Sequence, residues 1–289
     1  MKLVTYRHNG AAAGTVHHGR IDDAGVHPLG AGELSAVLAA VHRGDELAFG
    51  EPLPVTDVEL LAPLPRPGKL LAAAANFNDH VAEAGAPPLN KARLSPRLFL
   101  KPPTSIVGPG CDIPMPTLGR QIDWEAELGV VIGARVRDLA VADALGAVVG
   151  YLSANDVSAR SMDYGYDRDT DDKAVWFFDW LAGKWLDGFA PLGPYLVTAD
   201  EVPDPQDLSI TLDVNGIRRQ DGSTKTMIFS VAELVAYAST LMTLEPGDVL
   251  LTGTPAGVGA ATGDYLSAGD EMSVTIGHLG TLTNRMVDP

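Results

Sequence analysis

Two short segments of the chain place carboxylates where they could share a divalent cation. The segment 123–128 reads DWEAEL, and in a strand Asp123, Glu125 and Glu127 would all point to one side. Carboxylates this close raise each other's pKa, and a bound cation removes that conflict. The same spacing also fits an acidic edge that faces water, so the spacing alone leaves both interpretations open.

A further carboxylate, Asp156, ends the mostly apolar segment YLSAND. A carboxylate there is expected to be partly buried, and buried carboxylates are usually paired or bound to metal. The alternative is an N-cap for a helix that begins at Val157. If Asp156 joins Glu125 and Glu127, the three carboxylates select a hard cation, Mg²⁺ or Mn²⁺. Zinc does not fit, because no cluster of cysteine and histidine has its ligand spacing.

A histidine and a glutamate supply a candidate acid–base pair. His80 and Glu83 are three residues apart in the segment DHVAEAG, which predicts a short helix with both side chains on one face. A neighbouring carboxylate orients a histidine ring and raises its basicity, as a general base requires. The alternative is an ordinary surface pair. Asn76 before the segment and Gly85 after it predict a short, capped element of the kind that forms a lid.

Two further segments carry polar groups suited to an oxyanion or a carboxylate. Lys184 stands alone among apolar and aromatic residues in LAGKWLDGF, where it could stabilise an enolate. The alternative is a surface lysine whose stem alone is buried. The glycine-rich segment 252–259, TGTPAGVG, could present backbone N–H groups and the Thr254 hydroxyl to a carboxylate. Alternatively, this segment simply connects a hairpin.

The elements that would position these residues divide at a proline-rich connector. Residues 1–60 predict short strands and one helix over Leu34–His42. Three prolines and a glycine break regular structure in the segment 61–69, LAPLPRPGK. We therefore predict a small N-terminal α+β domain over residues 1–65 and a catalytic domain over residues 66–289.

The larger predicted domain contains more strands than helices. Its segments predict strands at RLFLKP and ELGVVIGARV, a loop over Gly108–Gly119 and a helix that starts after Asp156. Strands and helices do not alternate regularly along the chain. This pattern favours an α+β, β-rich roll and argues against a doubly wound parallel sheet.

Composition excludes several classes of partner. The chain has 289 residues, of which 46% are hydrophobic and 20% charged, as in an ordinary globular protein. A formal net charge of −16 repels nucleic-acid phosphates and anionic membrane surfaces, so neither is expected as a partner. A single cysteine excludes an intramolecular disulfide and suits a reducing compartment. The first ten residues lack an apolar signal region, so we expect a cytoplasmic location.

Nine segments in one order resemble the fumarylacetoacetate hydrolase superfamily, over roughly residues 69 to 285. They are NFNDHVAE, RLFLKPPTSIVGPG, DWEAELGVVIG, GYLSANDVSAR, GKWLDGFAPLGPYLVT, VNG with the following Gln220, TMIFSVAELVAYAS, TLEPGDVLLTGTPAGVG and the final GD…IGHLGTLTN. No single segment is decisive, but nine in register are highly specific. The resemblance is to the branch with acylpyruvate and 2,4-diketo acid hydrolases and hydroxyhepta-dienedioate isomerases.

The resemblance implies a fold, a cofactor and roles for nine residues. The family's catalytic domain is a β-rich roll of mixed sheets behind a small N-terminal domain, and its members are usually homodimers. The matched positions are the Mg²⁺ ligands Glu125, Glu127 and Asp156, the water-activating pair His80 and Glu83 on a lid, and the substrate contacts Lys184, Thr254, Arg160 and Gln220.

The chain departs from the family pattern in three places, one of which is Ser161 and Asp163 after SAR, where relatives commonly carry an Asp and then a Gln. Phe77 stands where many relatives have a tyrosine, so any role of that hydroxyl is missing. The segment 162–181 is longer than the compact form and is crowded with acids and aromatics. Because it lies between two active-site segments, Asp163, Arg168 and Trp176 are candidate specificity residues. The alternative for each is a purely structural role in a loop.

The resemblance predicts hydrolytic C–C cleavage of a 2,4-diketo acid with release of pyruvate. The expected partner is a small keto acid, and the expected cofactor is Mg²⁺ or Mn²⁺. Decarboxylation of oxaloacetate and isomerisation of a 2-hydroxy-dienedioate are alternatives on the same site. A binding protein without turnover is a further alternative. It would be favoured by loss of a metal ligand or of the acid–base pair, whereas all five of these residues are present.

Overall fold

The computed structural model of the chain describes residues 1–10, 16–29 and 34–289. Its helices are α1 Leu34–Arg43, α2 Asn78–Glu83, α3 Lys173–Ala182, α4 Val231–Leu241 and α5 Gly259–Thr262. The strands as far as residue 132 are β1 Lys2–His8, β2 His17–Asp22, β3 Gly25–Pro28, β4 Val58–Leu61, β5 Leu70–Ala74, β6 Arg97–Lys101, β7 Ile106–Val107, β8 Asp112–Pro114, β9 Gly119–Asp123 and β10 Ala126–Ile132. The later strands are β11 Val148–Asn155, β12 Ser158–Met162, β13 Ala190–Thr198, β14 Ser209–Val214, β15 Ile217–Ser223, β16 Val249–Leu251, β17 Glu271–Ile276 and β18 Thr281–Val287.

Eleven of the described strands form one large mixed sheet. Nine of them run in the order β3-β2-β1-β13-β11-β10-β16-β5-β6, with β4 beside β1 and β7 beside β13. The pairs β16 with β5 and β13 with β7 are parallel, whereas β10 pairs antiparallel with both of its neighbours. Strands dominate and the helices are dispersed between them, which confirms the predicted α+β, β-rich fold class.

The central strands β10 and β11 are buried along their whole length. Their sequences, AELGVVI and VVGYLSAN, are nearly continuous apolar runs, as a strand covered on both faces requires. Their register places Ala126 opposite Asn155. The polar residues at these two strand ends are therefore brought together at one end of a rigid apolar support.

A second sheet packs on the first. Within the described residues it contains five strands in the order β15-β14-β17-β18-β8. Leu212 of β14 and Val274 of β17 share one buried cluster with Leu128 and Val130 of β10. This buried cluster therefore lies between the two sheets. It supports β10 from the side opposite to the site described below.

The N-terminal strands extend the large sheet. Leu3 of β1 pairs with Leu196 of β13, and β2 and β3 continue the sheet beyond β1. Helix α1 begins at the predicted residue, Leu34, and ends at Arg43, one residue beyond the prediction. The division into domains over 1–65 and 66–289 remains a prediction. No helix among the described residues combines the length and the apolar character that a bilayer crossing requires.

Three local predictions were wrong. No helix follows Asp156, because residues 158–162 form β12 and pair with β9. The segment 123–128 is not one strand, because β9 turns away to pair with β12 while β10 pairs with β11. The predicted loop over Gly108–Gly119 contains β8, which pairs with β18 at the edge of the second sheet.

Candidate active site

Three carboxylates meet where β10 begins and β11 ends. Glu125, Glu127 and Asp156 each offer an oxygen that lies within 4.8 Å of the other two. Their exposed fractions are 5%, 1% and 1%, so they do not form an acidic edge that faces water. Burying three carboxylates this close together is unfavourable unless positive charge is brought to them.

The break between β9 and β10 positions this cluster. The backbone N–H of Glu125 donates to the Asn155 side chain at 2.9 Å, and the N–H of Asp156 donates to the Glu125 carbonyl at 2.8 Å. The two chain segments are thereby joined at the point where their carboxylates project. Glu127 is held separately, because its Oε2 accepts a hydrogen bond from the Gly253 N–H at 2.7 Å.

Three basic side chains surround the carboxylates. Lys184 Nζ lies 2.8 Å from Glu125 Oε2 and 2.6 Å from Asp156 Oδ2. Lys101 Nζ donates to the other Asp156 oxygen. Arg160 Nη2 lies 2.7 Å from Glu125 Oε1. Both lysines are almost fully buried, so these ion pairs are only weakly screened by solvent.

Asp123 belongs to the support of the site. Its oxygens accept hydrogen bonds from the N–H groups of Trp124 at 2.8 Å, Gly259 at 2.6 Å and Ala260 at 3.0 Å. Arg160 Nε donates to Asp123 at 2.8 Å as well. With these four donors Asp123 joins β9 to the start of α5 and fixes Arg160. This explains why an acid so near Glu125 lies outside the three-carboxylate cluster.

The pKa values of Glu125 and Glu127 are shifted in opposite directions. Burial raises the pKa of Glu125, but Lys184 and Arg160 outweigh burial and lower it to about 2. Burial, followed by the charges of Asp156 and Glu125, raises the pKa of Glu127 well above its ordinary value. With Glu127 protonated, the charges of Asp123, Glu125 and Asp156 equal those of the three basic residues. With Glu127 ionised, these seven residues together carry one net negative charge.

The donor set fits a hard divalent cation. Its ligand atoms are carboxylate oxygens, which Mg²⁺ and Mn²⁺ prefer, and the described residues offer no cysteine or histidine cluster of the kind that zinc selects. A divalent cation beside ionised Glu127 would leave one net positive charge. One carboxylate of a bound substrate would then neutralise the site.

His80 and Glu83 form the predicted pair on the short helix α2. His80 Nδ1 lies 2.7 Å from Glu83 Oε1, and Glu83 Oε2 accepts from the Gly257 N–H at 2.7 Å. Gly257 has a φ of +104°, and a Cβ there would lie 2.1 Å from the Arg219 carbonyl oxygen. Glycine is therefore required at the position that orients Glu83. The pair leaves the other ring nitrogen, Nε2, available for proton transfer.

Thr254 and Gln220 are linked. Gln220 Nε2 donates to the Thr254 hydroxyl at 2.7 Å and to the Pro255 carbonyl at 2.9 Å. Its Oε1 accepts from the Ala126 N–H at 2.9 Å. The buried Gln220 amide is thus engaged on both sides and holds Thr254 next to the start of β10.

Two adjoining cavities open onto these groups. Their volumes are about 540 and 580 Å³, and both are lined by His80, Arg160, Trp176 and Trp180. The predicted residues on the walls of the first are His80, Glu125, Asp156, Arg160, Lys184 and Thr254, and Glu83 lines the second. Of the nine predicted residues, Glu127 and Gln220 do not line either cavity and lie behind the wall.

Sequence reasoning missed Lys101. The signal was present in RLFLK, because Arg97, Phe99 and Lys101 share one face of β6. Lys101 is buried and bound to Asp156, and burial lowers the pKa of its ammonium group. A lysine at the end of a short apolar strand can remain inside only beside an acid. The sequence alone does not identify Asp156 as that acid.

The long segment 162–181 contributes to the cavity wall unevenly. Trp176 lines both cavities. Arg168 does not line either cavity. Its Nη1 pairs at 2.6 Å with Asp179, which lines the second cavity. Asp163 pairs with Arg120 at the surface at 3.0 Å and lies outside both walls.

We predict that Asp123→Asn destabilises the protein but spares cation binding. An amide would turn its NH₂ toward backbone donors and leave Arg160 with a weaker partner, at a cost of about 3 kcal/mol. Urea unfolding measures that loss of stability. Calorimetric titration with Mg²⁺ should give an affinity within about threefold of wild type. Replacing a residue that orients a metal ligand lowers metal affinity by about 10- to 100-fold, a much larger change. Glu127→Gln is the comparison and should abolish Mg²⁺ binding. Loss of binding in Asp123→Asn without loss of stability would make Asp123 a ligand.

We also predict that Mg²⁺ binding expels a proton from Glu127. Because the pKa of Glu127 is raised, the carboxyl stays protonated at a pH where an ordinary glutamate has ionised. The cation needs the carboxylate, so Mg²⁺ affinity should rise by about tenfold per pH unit until the pH passes that raised pKa. Calorimetry in two buffers of different ionisation enthalpy should show about one proton released. An affinity that does not change with pH would contradict this.

Comparison with known proteins identifies the family of the chain. A family model described as "Fumarylacetoacetate (FAA) hydrolase C-terminal" matches residues 69–287. The chain is 42% identical over 267 residues to a 2,4-didehydro-3-deoxy-L-rhamnonate hydrolase of Sphingomonas sp. (strain SKA58), an alignment that covers 91% of this chain and 87% of the relative.

Solved structures give the same relationship over the whole length. A fumarylacetoacetate hydrolase of the psychrophile Exiguobacterium antarcticum is 35% identical, with a TM-score of 0.81 and 100% of both chains covered. A 2-hydroxyhepta-2,4-diene-1,7-dioate isomerase of Mycobacterium marinum is 33% identical, with a TM-score of 0.76, and covers 100% of this chain and 98% of its own. This chain is therefore a member of the fumarylacetoacetate hydrolase family of enzymes.

Proposed function

We propose that the protein hydrolyses a C–C bond of a 2,4-diketo acid of the acylpyruvate type and releases pyruvate. The observation that carries the proposal is the shared cavity. One wall presents the buried carboxylates Glu125 and Asp156, and the same wall presents Lys184 and His80. A cation site, a fixed ammonium group and a base thus face one small volume, as enolate chemistry requires.

The cofactor in this proposal is Mg²⁺ or Mn²⁺ on Glu125, Glu127 and Asp156. When bound, such a cation acts as a Lewis acid that polarises the keto-acid oxygens, a contribution worth several kcal/mol. Its charge also explains why Glu127 can ionise in a buried site.

The keto-acid end of the substrate is held by groups that are already fixed. The Thr254 hydroxyl is oriented by Gln220, and the Arg160 guanidinium is oriented by Asp123. Both side chains line the cavity beside the carboxylates. A substrate carboxylate placed there meets donors that need no rearrangement, which lowers the entropic cost of orientation.

Hydrolysis then requires a deprotonated water. Glu83 holds His80 through Nδ1, so Nε2 can accept the proton of a water that attacks the distal carbonyl carbon. The bond between C3 and C4 of the diketo acid breaks, and its electron pair passes to C3 as the enolate of pyruvate. The distal part leaves as a carboxylic acid, and protonation of C3 completes pyruvate.

Lys184 provides positive charge for the enolate. Burial lowers the pKa of its ammonium group, but Asp156 and Glu125 outweigh burial and raise it, so Lys184 stays protonated at neutral pH. A fixed charge in a site that excludes water stabilises developing negative charge without reorganisation.

A second candidate uses the enolate without an attacking water. The likeness to an isomerase of 2-hydroxyhepta-2,4-diene-1,7-dioate favours tautomerisation, and oxaloacetate decarboxylation has the same requirement. Both reactions need the cation and Lys184 but do not need a hydrolytic base.

A substrate panel tests the proposal directly. Acylpyruvates, diketo sugar acids and oxaloacetate should be scored for Mg²⁺-dependent release of pyruvate, and we expect the acylpyruvates to react. Oxalate resembles the pyruvate enolate, so calorimetry should show oxalate binding that depends on Mg²⁺. Oxalate binding that is equal with and without Mg²⁺ would exclude the proposed site.

The variant His80→Ala separates hydrolysis from the alternative. Hydrolysis should fall by about 10²–10⁴-fold because the water loses its base. Oxaloacetate decarboxylation should fall far less, and Mg²⁺ affinity should stay at the wild-type value. If both reactions fall equally, His80 does not act on a water and the hydrolytic assignment fails.

A further inference from the structure

Helix α3 presents an unusual amount of aromatic surface. Trp176, Phe177 and Phe178 are 61%, 46% and 61% exposed, and no residue of the helix is buried. Large aromatic side chains are rarely exposed in a group unless a partner or a ligand covers them. The position of each ring shows whether it faces a ligand cavity or a separate partner surface.

Three of the four rings face the active-site cavity. Trp176, Phe177 and Trp180 line the wall that also carries Glu125 and Lys184, whereas Phe178 does not line either cavity. Phe177 and Trp180 are stacked with centroids 6.1 Å apart. The exposed rings therefore belong to the pocket and do not form a separate surface.

Strand β6 continues the same apolar wall. Phe99 meets Trp180 edge to face with centroids 5.0 Å apart, and Leu98 also lines the cavity. Phe99 shares a strand face with Lys101, which binds Asp156. The aromatic surface thus begins immediately beside the carboxylate cluster.

The aromatic wall reaches the ammonium group of Lys184, which stabilises the enolate in the proposed reaction. Lys184 Nζ lies 5.7 Å from the centroid of Phe99 and 6.0 Å from that of Trp180. A substrate whose enolate portion contacts Lys184 must extend from there, and rings of Phe99 and Trp180 border that space. These rings therefore lie where the acyl group of an acylpyruvate would be placed.

The wall is anchored at both ends. Asp172 caps α3 by accepting from the Ala174 N–H at 2.7 Å, and Asp179 holds Arg168 at 2.6 Å. Beyond the helix, the Gly183 carbonyl accepts from the Ala159 N–H of β12 at 2.9 Å. A helix fixed in this way can present its rings in one place before substrate binds.

Charge favours an acyl group without a second carboxylate. Lys184 and Arg160, two cations on the cavity wall, already pair with Glu125, and Lys184 also pairs with Asp156. The remaining cation on the cavity wall, Arg97, is exposed at its rim, where water weakens an ion pair. Hydroxyl groups would lie against aromatic rings that offer them few hydrogen bonds.

We propose, building on the proposed function, that the acyl group of the substrate is apolar and flat and that Trp176 and Trp180 on α3 select it. Aryl or unsaturated acyl groups fit this wall best. The wall replaces the water around such a group with aromatic contacts, and this discriminates against small or polar acyl groups by roughly 10- to 100-fold.

The experiment compares kcat/KM for benzoylpyruvate with kcat/KM for acetylpyruvate, both with Mg²⁺. Wild type should prefer benzoylpyruvate by at least about tenfold. Trp176→Ala should reduce this ratio about tenfold, and Trp176→Phe should restore most of it. Phe178→Ala is the matched control, since it removes an equally exposed ring of the same helix that does not line the cavity, and it should keep the wild-type ratio.

Two results would overturn the proposal. One is a preference for a dicarboxylic or polyhydroxylated diketo acid that Arg97→Gln abolishes, which would assign the far end of the cavity to a polar group. The other is an equal change of the kcat/KM ratio in Trp176→Ala and Phe178→Ala, which would show that Trp176 makes no specific contact with the acyl group.

A binding measurement keeps this test separate from the proposed hydrolysis. If no acylpyruvate releases pyruvate, the hydrolytic proposal fails, but calorimetry in Mg²⁺ still compares the affinities for benzoylpyruvate and acetylpyruvate. Tighter binding of benzoylpyruvate that Trp176→Ala removes would support the aromatic wall. Equal affinities would reject it.

Discussion

The site depends on the mutual repulsion of three buried carboxylates. Glu125, Glu127 and Asp156 lie close enough to share one ion, in an interior where each negative charge disfavours the next. Lys101 and Lys184 offset part of this repulsion, and what remains, together with burial, raises the pKa of Glu127. Such an arrangement is unfavourable by itself, and a cation placed among the three oxygens would remove the repulsion that the fold imposes.

The surrounding structure keeps these carboxylates from moving apart. The fully buried strands β10 and β11 cannot shift in register without exposing their apolar side chains. Asp123 and Arg160 then connect the cluster to α5, and the Gly257 N–H connects the adjacent loop to Glu83. Glu83 and the carboxylate cluster are therefore connected through backbone contacts.

The sequence predicted the grouping of the three carboxylates better than it predicted the local backbone. Glu125 and Glu127 were identified on the assumption of one continuous strand, yet the chain breaks between β9 and β10. Both glutamates still lie close together, because the Asn155 side chain accepts a hydrogen bond from the Glu125 N–H at this break. A tertiary contact of this kind leaves no periodic signal. The pairing of Lys101 with Asp156 was equally invisible, since those residues are 55 positions apart.

Lys184 follows the aromatic helix in the chain, and a contact with β12 fixes the backbone between them. A Cβ on Gly183 would lie 2.1 Å from the Ala159 carbonyl oxygen, so the backbone is pressed against β12 immediately before Lys184. The hydrogen bond from the Ala159 N–H to Gly183 fixes the same point. The backbone immediately before Lys184 is therefore fixed by β12 through contacts that do not involve the aromatic rings of α3. In the proposed reaction the acyl group would contact these rings, and the keto-acid end would contact residues that the carboxylate cluster already holds.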